Sequence, residues 1–156
     1  MLLWEELLTK AVSTGAAGPL LWAWGNNSAG QIGDSTTINR SSPAQIGAVS
    51  WASVAGGESF VVALASNNLM YAWGNNNVGQ LGDGSTINRS SPVQLGTSSW
   101  TAVAAGASHA AAVRSDGSVF AWGINSSGQI GDTTTLNKSS PTQVGTSSWT
   151  AVATGR

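Results

Sequence analysis

The sequence predicts an all-β protein in which three copies of one unit, each with four short strands, follow one another along the chain. A period of 49 residues runs through the sequence without a gap. Short β-prone segments alternate with turns rich in Gly, Asn, Ser and Thr, and such regular spacing is typical of a repeat array. The landmarks of the period are Trp24, Trp73 and Trp122; Trp51, Trp100 and Trp149; and Asp34, Asp83 and Asp132.

The second copy shows the four predicted strands in order. Residues 60–64 are apolar and β-prone, and an Asn-Asn pair then supplies a turn, since Asn tolerates left-handed geometry. Residues 69–73 form the second strand, and a long polar loop leads to the third at 92–95, whose leading Pro suits a strand start. After a further turn, residues 100–104 form the fourth strand.

A four-stranded repeat of this length has the size of a β-propeller blade, because blades are four-stranded sheets arranged around an axis. A solenoid is the structural alternative, but solenoid repeats are usually shorter or helical. The predicted organisation is a helical docking segment at 1–10, then blades at 11–58, 59–107 and 108–156.

The short N-terminal helix is predicted from a single apolar stripe formed by Leu3, Trp4, Leu7, Leu8, Ala11 and Val12. The first four of these are the predicted partner-binding residues. A helix of this length is marginal alone, so we expect it to dock on its own propeller or on a partner protein. The pattern does not distinguish these two possibilities. The segment does not read as a signal peptide, because two Glu residues interrupt the apolar stretch and no basic region precedes it.

Two stretches resemble the bacterial-type RCC1 (regulator of chromosome condensation) repeat. They are WGNNNVGQLGDGSTINRSSPVQLG at residues 73–96 and HAAAVRSDGSVFAWG at residues 109–123. The WG, GQ, GD and Pro-x-Gln elements recur at fixed offsets, and the resemblance covers residues 11–156. It implies a β-propeller, usually of about seven blades, so three blades depart from the family pattern. The first copy also has a weaker opening strand, with AVST in place of FVVA.

Three blades would leave two apolar faces uncovered, and exposed faces of that size mark interfaces. We expect the faces to join head to tail, so that a second subunit completes a six-bladed ring. The predicted state is therefore a homo-oligomer, a dimer in its simplest form. A nine-bladed ring of three chains and a fragment of a longer propeller are the alternatives.

The periodic Trp residues predict packing between blades, because every blade has the same space to fill. Trp22 occupies the position of Tyr71 and Phe120 and is interpreted in the same way. A platform on which carbohydrate rings stack is the alternative.

Each long loop carries one Asp, and a basic residue follows it six positions later. Loop capping by the Asp, together with an ion pair inside the blade, is the simplest account. Calcium is the alternative, but it takes six to eight oxygen ligands and each loop offers one carboxylate. We therefore predict no metal site. The basic residues are Arg40, Arg89 and Lys138.

His109 is the only histidine, and Phe60 and Ala11 stand at the equivalent positions of the other copies. In the RCC1 family a His recurs at this strand start, and the resemblance to the founding member implies a role in nucleotide exchange on the GTPase Ran. Proton transfer needs a partner within hydrogen-bond reach, and the sequence supplies none. We interpret His109 as structural and predict no catalytic residue.

The amino-acid composition restricts the classes of partner and site that we expect for this chain. Charged residues make up 8% of the chain and the net charge is −1, which gives no basic footprint for nucleic acid. The absence of Cys excludes a disulfide framework and a thiolate metal site. No apolar stretch reaches the roughly 20 residues that span a bilayer. We expect no cofactor, no nucleic acid and no membrane, and a location in the cytoplasm or a virion.

The sequence therefore predicts a structural or protein-interaction propeller that is not an enzyme. Low charge, polar loops and small size would also suit a phage virion component, either capsid-decorating or tail-associated. One alternative, implied by the resemblance alone, is a guanine-nucleotide exchange factor-like regulator of a small GTPase. The other is a glycan-binding lectin, which would need exposed aromatics; the loops at 26–42, 75–91 and 124–140 contain none.

Overall fold

A computed structural model of the chain describes residues 13–15 and 18–155. Every regular element in this part of the chain is a β-strand, which confirms the all-β prediction. The predicted helix at 1–10, with Leu3, Trp4, Leu7 and Leu8, lies outside the described residues. The strands are β1 Ser13–Gly15, β2 Gly18–Gly25, β3 Arg40–Ile46, β4 Trp51–Gly56, β5 Phe60–Ala65, β6 Met70–Gly74, β7 Arg89–Gln94, β8 Trp100–Ala105, β9 His109–Arg114, β10 Val119–Gly123 and β11 Lys138–Val144.

The strands form three antiparallel sheets in which each strand pairs with the next along the chain. The first sheet contains β1–β3, the second β4–β7 and the third β8–β11. In each sheet the last pairing shifts register beside a Trp-Gly pair, as between Ala72 and Gly74. Such a shift bends the strand where the long loop begins. No helix in the described part of the chain is long and apolar enough to cross a membrane.

The sheets are offset from the predicted repeat frame. Residues 100–104, predicted as the closing strand of the second copy, lie in β8, which pairs with β9 and opens the third sheet. In the same way β4 opens the second sheet by pairing with β5. A period of fixed length looks the same wherever the frame is cut, so the pattern could not show on which side this strand pairs. The first sheet, as described, has three strands and lacks the equivalent of β4.

The hydrophobic core lies between the sheets. Strand β5 is buried along its whole length, and its side chains alternate between two clusters. Phe60, Val62 and Leu64 pack with residues of the third sheet, whereas Val61 and Ala63 pack with residues of the first. This period of two gives the second sheet two apolar faces, one for each neighbour. The opening strands β4 and β8 contact each other, so successive sheets converge on one side, as blades of a propeller do.

Candidate interaction surfaces

Adjacent blades are joined by an indole that crosses from one blade into the loop of the blade before it. Trp73 is fully buried, and its Nε1 donates a hydrogen bond to the carbonyl of Gln31 over 3.0 Å. The ring lies against Gly33, where a Cβ atom would come within 2.6 Å of the indole nitrogen. Trp122 repeats this arrangement on the Gln80 carbonyl at 3.0 Å. Both indoles therefore pack between adjacent blades.

Backbone contacts reinforce each blade junction. Ser35 donates its N–H to the carbonyl of Ser90 in the next blade at 2.7 Å, and Gly84 donates to Ser139 at 2.8 Å. Beside the first of these bonds, a Cβ atom on Gly30 would lie 2.6 Å from the Ser90 Cα, so only glycine permits this approach. The two junctions within the chain therefore share one set of contacts.

The first blade presents the donor half of such a junction on its outer face. Trp24 is the equivalent of Trp73 and Trp122, but it is partly exposed where they are completely buried. The blade face that receives an indole in the other junctions belongs to the blade before it, and the described chain provides no such blade for Trp24.

The third blade presents the receiving half. We call the Gln129 carbonyl and Gly131, the equivalents of Gln31 and Gly33, the indole socket. A Cβ atom on Gly131 would meet only a Val144 methyl group, at 3.4 Å, and no indole lies there among the described residues. An open cleft of about 340 Å³, with Ile130 in its lining, runs along this face. Both halves of the repeated junction are thus present at opposite ends of the chain.

The second periodic Trp set packs at the edge of each blade. Trp51 and Trp100 are each 4% exposed, and they meet Tyr71 and Phe120 edge to face with ring centroids 5.4 and 5.3 Å apart. Trp149 is 50% exposed, although it follows the third blade as Trp100 follows the second. The aromatic partner that buries this indole comes from the blade that its strand opens. These ring contacts lie within one sheet, whereas the Trp51 Nε1 donates a hydrogen bond to the Ile46 carbonyl of the preceding sheet at 3.1 Å. Trp149 lacks an aromatic partner in the described chain.

The long loop of each blade is organised by one buried asparagine. In the second blade the Asn76 side chain is fully buried, and its Nδ2 donates to Asp83 Oδ1 and to the carbonyls of Ser85 and Ile87, each at 3.1 Å. Its Oδ1 accepts the Leu81 N–H at 3.0 Å. Asn27 and Asn125 make the same contacts. Sequence analysis missed these residues, although their recurrence at 49-residue intervals was a visible signal.

The predicted ion pair within each blade is confirmed. Arg89 Nη2 lies 2.8 Å from Asp83 Oδ2, and the Asp83 side chain is only 5% exposed. Burial alone would raise the pKa of Asp83, but hydrogen bonds from Ser85 and Arg89 outweigh it and hold that pKa below its usual range. The equivalent pairs are Arg40 with Asp34 at 2.6 Å and Lys138 with Asp132 at 3.0 Å.

The hydrogen bonds around Asp83 show what each of its two carboxylate oxygens binds. Asp83 Oδ1 accepts the Ser85 hydroxyl at 2.7 Å and the Ser85 N–H at 3.0 Å, and its other oxygen faces Arg89. Each carboxylate is thus occupied in capping its own loop. Among the described residues, no three His, Cys, Asp or Glu side chains come together in a way that could hold a metal ion.

His109 opens β9 and is 7% exposed. Its ring lies against Gly106, as the Phe60 ring lies against Gly57 in the blade before. Burial lowers the pKa of His109, so the neutral imidazole is favoured. The His and Phe positions thus play the same packing role beside the opening strand of each blade.

Three exposed aliphatic side chains mark the same position in each long loop. Ile38, Ile87 and Leu136 are 65%, 62% and 69% exposed. They stand two residues before Arg40, Arg89 and Lys138 in the sequence, and sequence analysis did not single them out. Isolated exposed apolar residues are ordinary, so these three do not by themselves define a binding surface.

Comparison with protein families supports the fold. The model of the Regulator of chromosome condensation (RCC1) repeat matches residues 20–64, 67–113 and 116–156. A second model of the same description matches residues 51–80 and 100–129. No curated protein sequence matches the chain significantly.

Solved structures show the same fold. Prp20p from Saccharomyces cerevisiae, whose structure is described together with its binding to Gsp1p and histones, superposes with a TM-score of 0.74 at 22% identity. That match covers 82% of this chain and 34% of Prp20p. Human WBSCR16 superposes with a TM-score of 0.74 at 24% identity, over 92% of this chain and 39% of the human protein. The chain therefore spans little more than a third of either protein.

Proposed function

The chain belongs to the RCC1 repeat family, and from this premise we propose that it is a non-catalytic structural protein that binds other proteins through its two open blade faces. The fold is a propeller fold, and propellers are completed by packing blade on blade. The partner best matched to these faces is a blade of the same repeat.

One observation carries the proposal: the junction that occurs twice inside the chain has its two halves exposed at the chain's opposite ends. Trp24 provides the indole, and Gln129 and Gly131 provide the socket. An interface between two different surfaces of identical chains is heterologous and propagates until it closes into a ring. Two chains would supply six blades, a number within the range of known propellers.

The family alternatives receive no comparable support. Prp20p is described as binding Gsp1p and histones, and a further yeast structure shows Kap60 bound to it, but this chain is only 22% identical to each. Identity at that level carries the fold and not the partner. An exchange-factor role therefore stays a prediction. A lectin role also stays a prediction, because the exposed apolar side chains of the long loops are aliphatic and not aromatic. A place in a virion stays a prediction as well, because the described residues show no feature specific to a virion.

Light scattering on the purified chain tests the proposal. We expect a mass of about twice the 15.7 kDa of one chain. The variant Trp24→Ala should shift the protein to single chains, whereas Ile38→Ser, at an exposed position of the same blade, should leave the mass unchanged. A single-chain mass for the unmodified protein over the whole accessible concentration range would overturn the proposal.

A further inference from the structure

We propose that two copies of the chain make a second contact at the outer edge of the ring junction, where Thr133 of one copy donates its N–H to the Ser41 carbonyl of the other and Gly128 packs against the same serine. We call Gly128 and Thr133 the rim clasp. This inference rests on the proposed function, because it specifies a further part of the same junction. The rim clasp and Ser41 are separate from Trp24 and the indole socket, so this contact can be tested separately.

The two junctions inside the chain show the geometry of such a contact. In the first, Gly30 approaches Ser90 so closely that a Cβ atom on the glycine would lie 2.6 Å from the serine Cα. In the second, Gly79 approaches Ser139 at the same 2.6 Å. Each serine lies near the start of β7 or β11, the last strand of its sheet. Its carbonyl accepts the backbone hydrogen bond from the preceding blade, at 2.7 or 2.8 Å.

The third blade carries the glycine of this contact on its open face. Gly128 is the equivalent of Gly30 and Gly79, but it is exposed where they are buried. A Cβ atom at Gly128 would have no neighbour within 4 Å. The backbone is nevertheless the same, since φ is +77° at Gly128 and +81° at both of the others. The difference therefore comes from the lack of a following blade and not from a different loop.

The donor of the contact is also present in the third blade. Thr133 is the equivalent of Ser35 and Gly84, whose N–H groups donate across the internal junctions. Its φ of +66° matches the +69° of Ser35, although a β-branched residue rarely adopts left-handed geometry. The Thr133 N–H has no hydrogen-bond partner among the described residues. The loop thus holds a donor in the conformation that the first junction uses, and a carbonyl of another copy can accept from it.

The first blade carries the matching acceptor at the other end of the chain. Ser41, near the start of β3, is the equivalent of Ser90 and Ser139. It is exposed, whereas they are half-buried at the internal junctions. Pro43 is exposed as well, and its two equivalents are half-buried. Because one chain carries both complementary halves on different surfaces, a second copy is the occupant that fits them, in a heterologous contact.

Disulfide trapping tests the contact, because the chain contains no cysteine. At the second internal junction a Cβ atom on Gly84 would lie 3.6 Å from the Ser140 Oγ, so side chains at these positions touch. The equivalent pair between copies is Thr133 with Ser42, and a disulfide joins Cβ atoms about 3.5–4.5 Å apart. One preparation carries Thr133→Cys and the other Ser42→Cys, and the two are mixed, allowed to equilibrate and oxidised mildly. We expect a disulfide-linked pair with one chain of each kind as the main cross-linked product.

Two controls accompany the trapping experiment. The double variant Ser35→Cys with Ser91→Cys places the equivalent pair at the first internal junction and should form a disulfide within one chain. Leu136→Cys is the negative control for the loop of the rim clasp. Its two equivalents remain 65% and 62% exposed at junctions that are formed, so this position lies outside the contact. We expect Leu136→Cys not to trap with Ser42→Cys.

The outcomes separate the rim contact from the proposed function. If the internal pair forms and the Thr133–Ser42 pair does not, the rim contact is wrong. Equal trapping by Leu136→Cys and Thr133→Cys would also overturn it, because cross-links would then form without a defined geometry. In either case a two-chain mass by light scattering would leave the proposed ring standing, whereas a single-chain mass would remove both.

Discussion

The indole Nε1 of Trp73 donates a hydrogen bond to the backbone carbonyl of Gln31, a residue 42 positions earlier and in the preceding blade, at 3.0 Å. Trp122 and Gln80 repeat the relationship at the same separation and distance. This bond links an inner strand of one sheet to the long loop of the neighbouring blade, and the two indoles are the largest fully buried side chains among the described residues. The stability of the array should therefore depend on these junctions.

Replacing Trp73 with alanine should destabilise the chain strongly. Removal of a fully buried indole leaves a cavity and costs about 3–5 kcal/mol in the free energy of unfolding. Trp24→Ala changes the same residue type at the exposed end, so its direct effect on a single chain should be smaller. Denaturant unfolding in dilute solution, where chains are separate, compares the two. Equal losses would contradict the assigned roles.

The glycines beneath the indoles provide a matched pair. Gly82 and Gly131 both have a positive φ, +78° and +75°, so alanine is strained at each. At Gly82 the added Cβ atom would also lie 2.7 Å from the Trp122 nitrogen, whereas at Gly131 it would have room in a single chain. We expect Gly82→Ala to lower the free energy of unfolding of the single chain further than Gly131→Ala does. Gly131→Ala should instead lower the fraction of the two-chain species seen by light scattering, because the added methyl group fills the indole socket.

The buried loop asparagine should be essential to its loop. Asn76→Ala removes the group that satisfies the carbonyls of Ser85 and Ile87 and the Leu81 N–H. Leaving the buried Leu81 N–H and the two partly buried carbonyls without this partner costs about 1–3 kcal/mol in the free energy of unfolding. Asn77→Ala, on the exposed side of the same loop, should change the free energy of unfolding by less than about 0.5 kcal/mol. Similar losses in the two variants would show that the loop does not depend on Asn76.

The loop ion pairs predict acid sensitivity. Hydrogen bonds hold the pKa of Asp34 and Asp83 below the ordinary value of 3.8 in spite of burial, so the unfolded chain binds protons more readily. Their contribution to stability is complete above about pH 5 and is lost as pH falls through the folded pKa. Measuring the denaturant midpoint from pH 6 downward, in steps of about one pH unit, checks this expected loss of stability. Asp83→Asn should make the decline shallower, and an unchanged decline would contradict the argument.

His109 predicts a separate, milder effect nearer neutral pH. Burial lowers its pKa below 6.5, so the folded chain favours the neutral ring and stability falls as pH drops below about 6.5. His109→Phe introduces the residue type that Phe60 has at the equivalent position of the preceding blade. The new ring would pack against Gly106 as the Phe60 ring packs against Gly57. The variant should fold and lose this pH dependence while keeping the acid decline of the Asp residues. Persistence of the decline between about pH 6.5 and 5 would contradict the assignment to His109.

The blade unit and the ion pairs could be predicted from the sequence because they depend on local order. Residues six apart in one loop, such as Asp83 and Arg89, stay close whatever surrounds them, and the spacing alone predicted the pair. The central role of Asn76 was not predicted, because the recurrence of Asn at this position does not by itself show that its side chain is buried. Its neighbour Asn77 is also an Asn and is exposed, so residue type alone could not distinguish the two.

The sequence by itself determined the all-β character, the three copies and the residues that fill each repeated space, since all of these follow from a period and from side-chain type. Only the tertiary structure decided which sheet the strand at 100–105 joins, and it showed that Trp24 and Trp149 differ from their equivalents. A periodic pattern treats every copy alike, whereas burial depends on a neighbouring blade, and the first and last copies each lack one neighbour in the described chain. The blade could therefore be predicted from the repeat, but the surfaces available to a partner could be identified only from the packing of the blades.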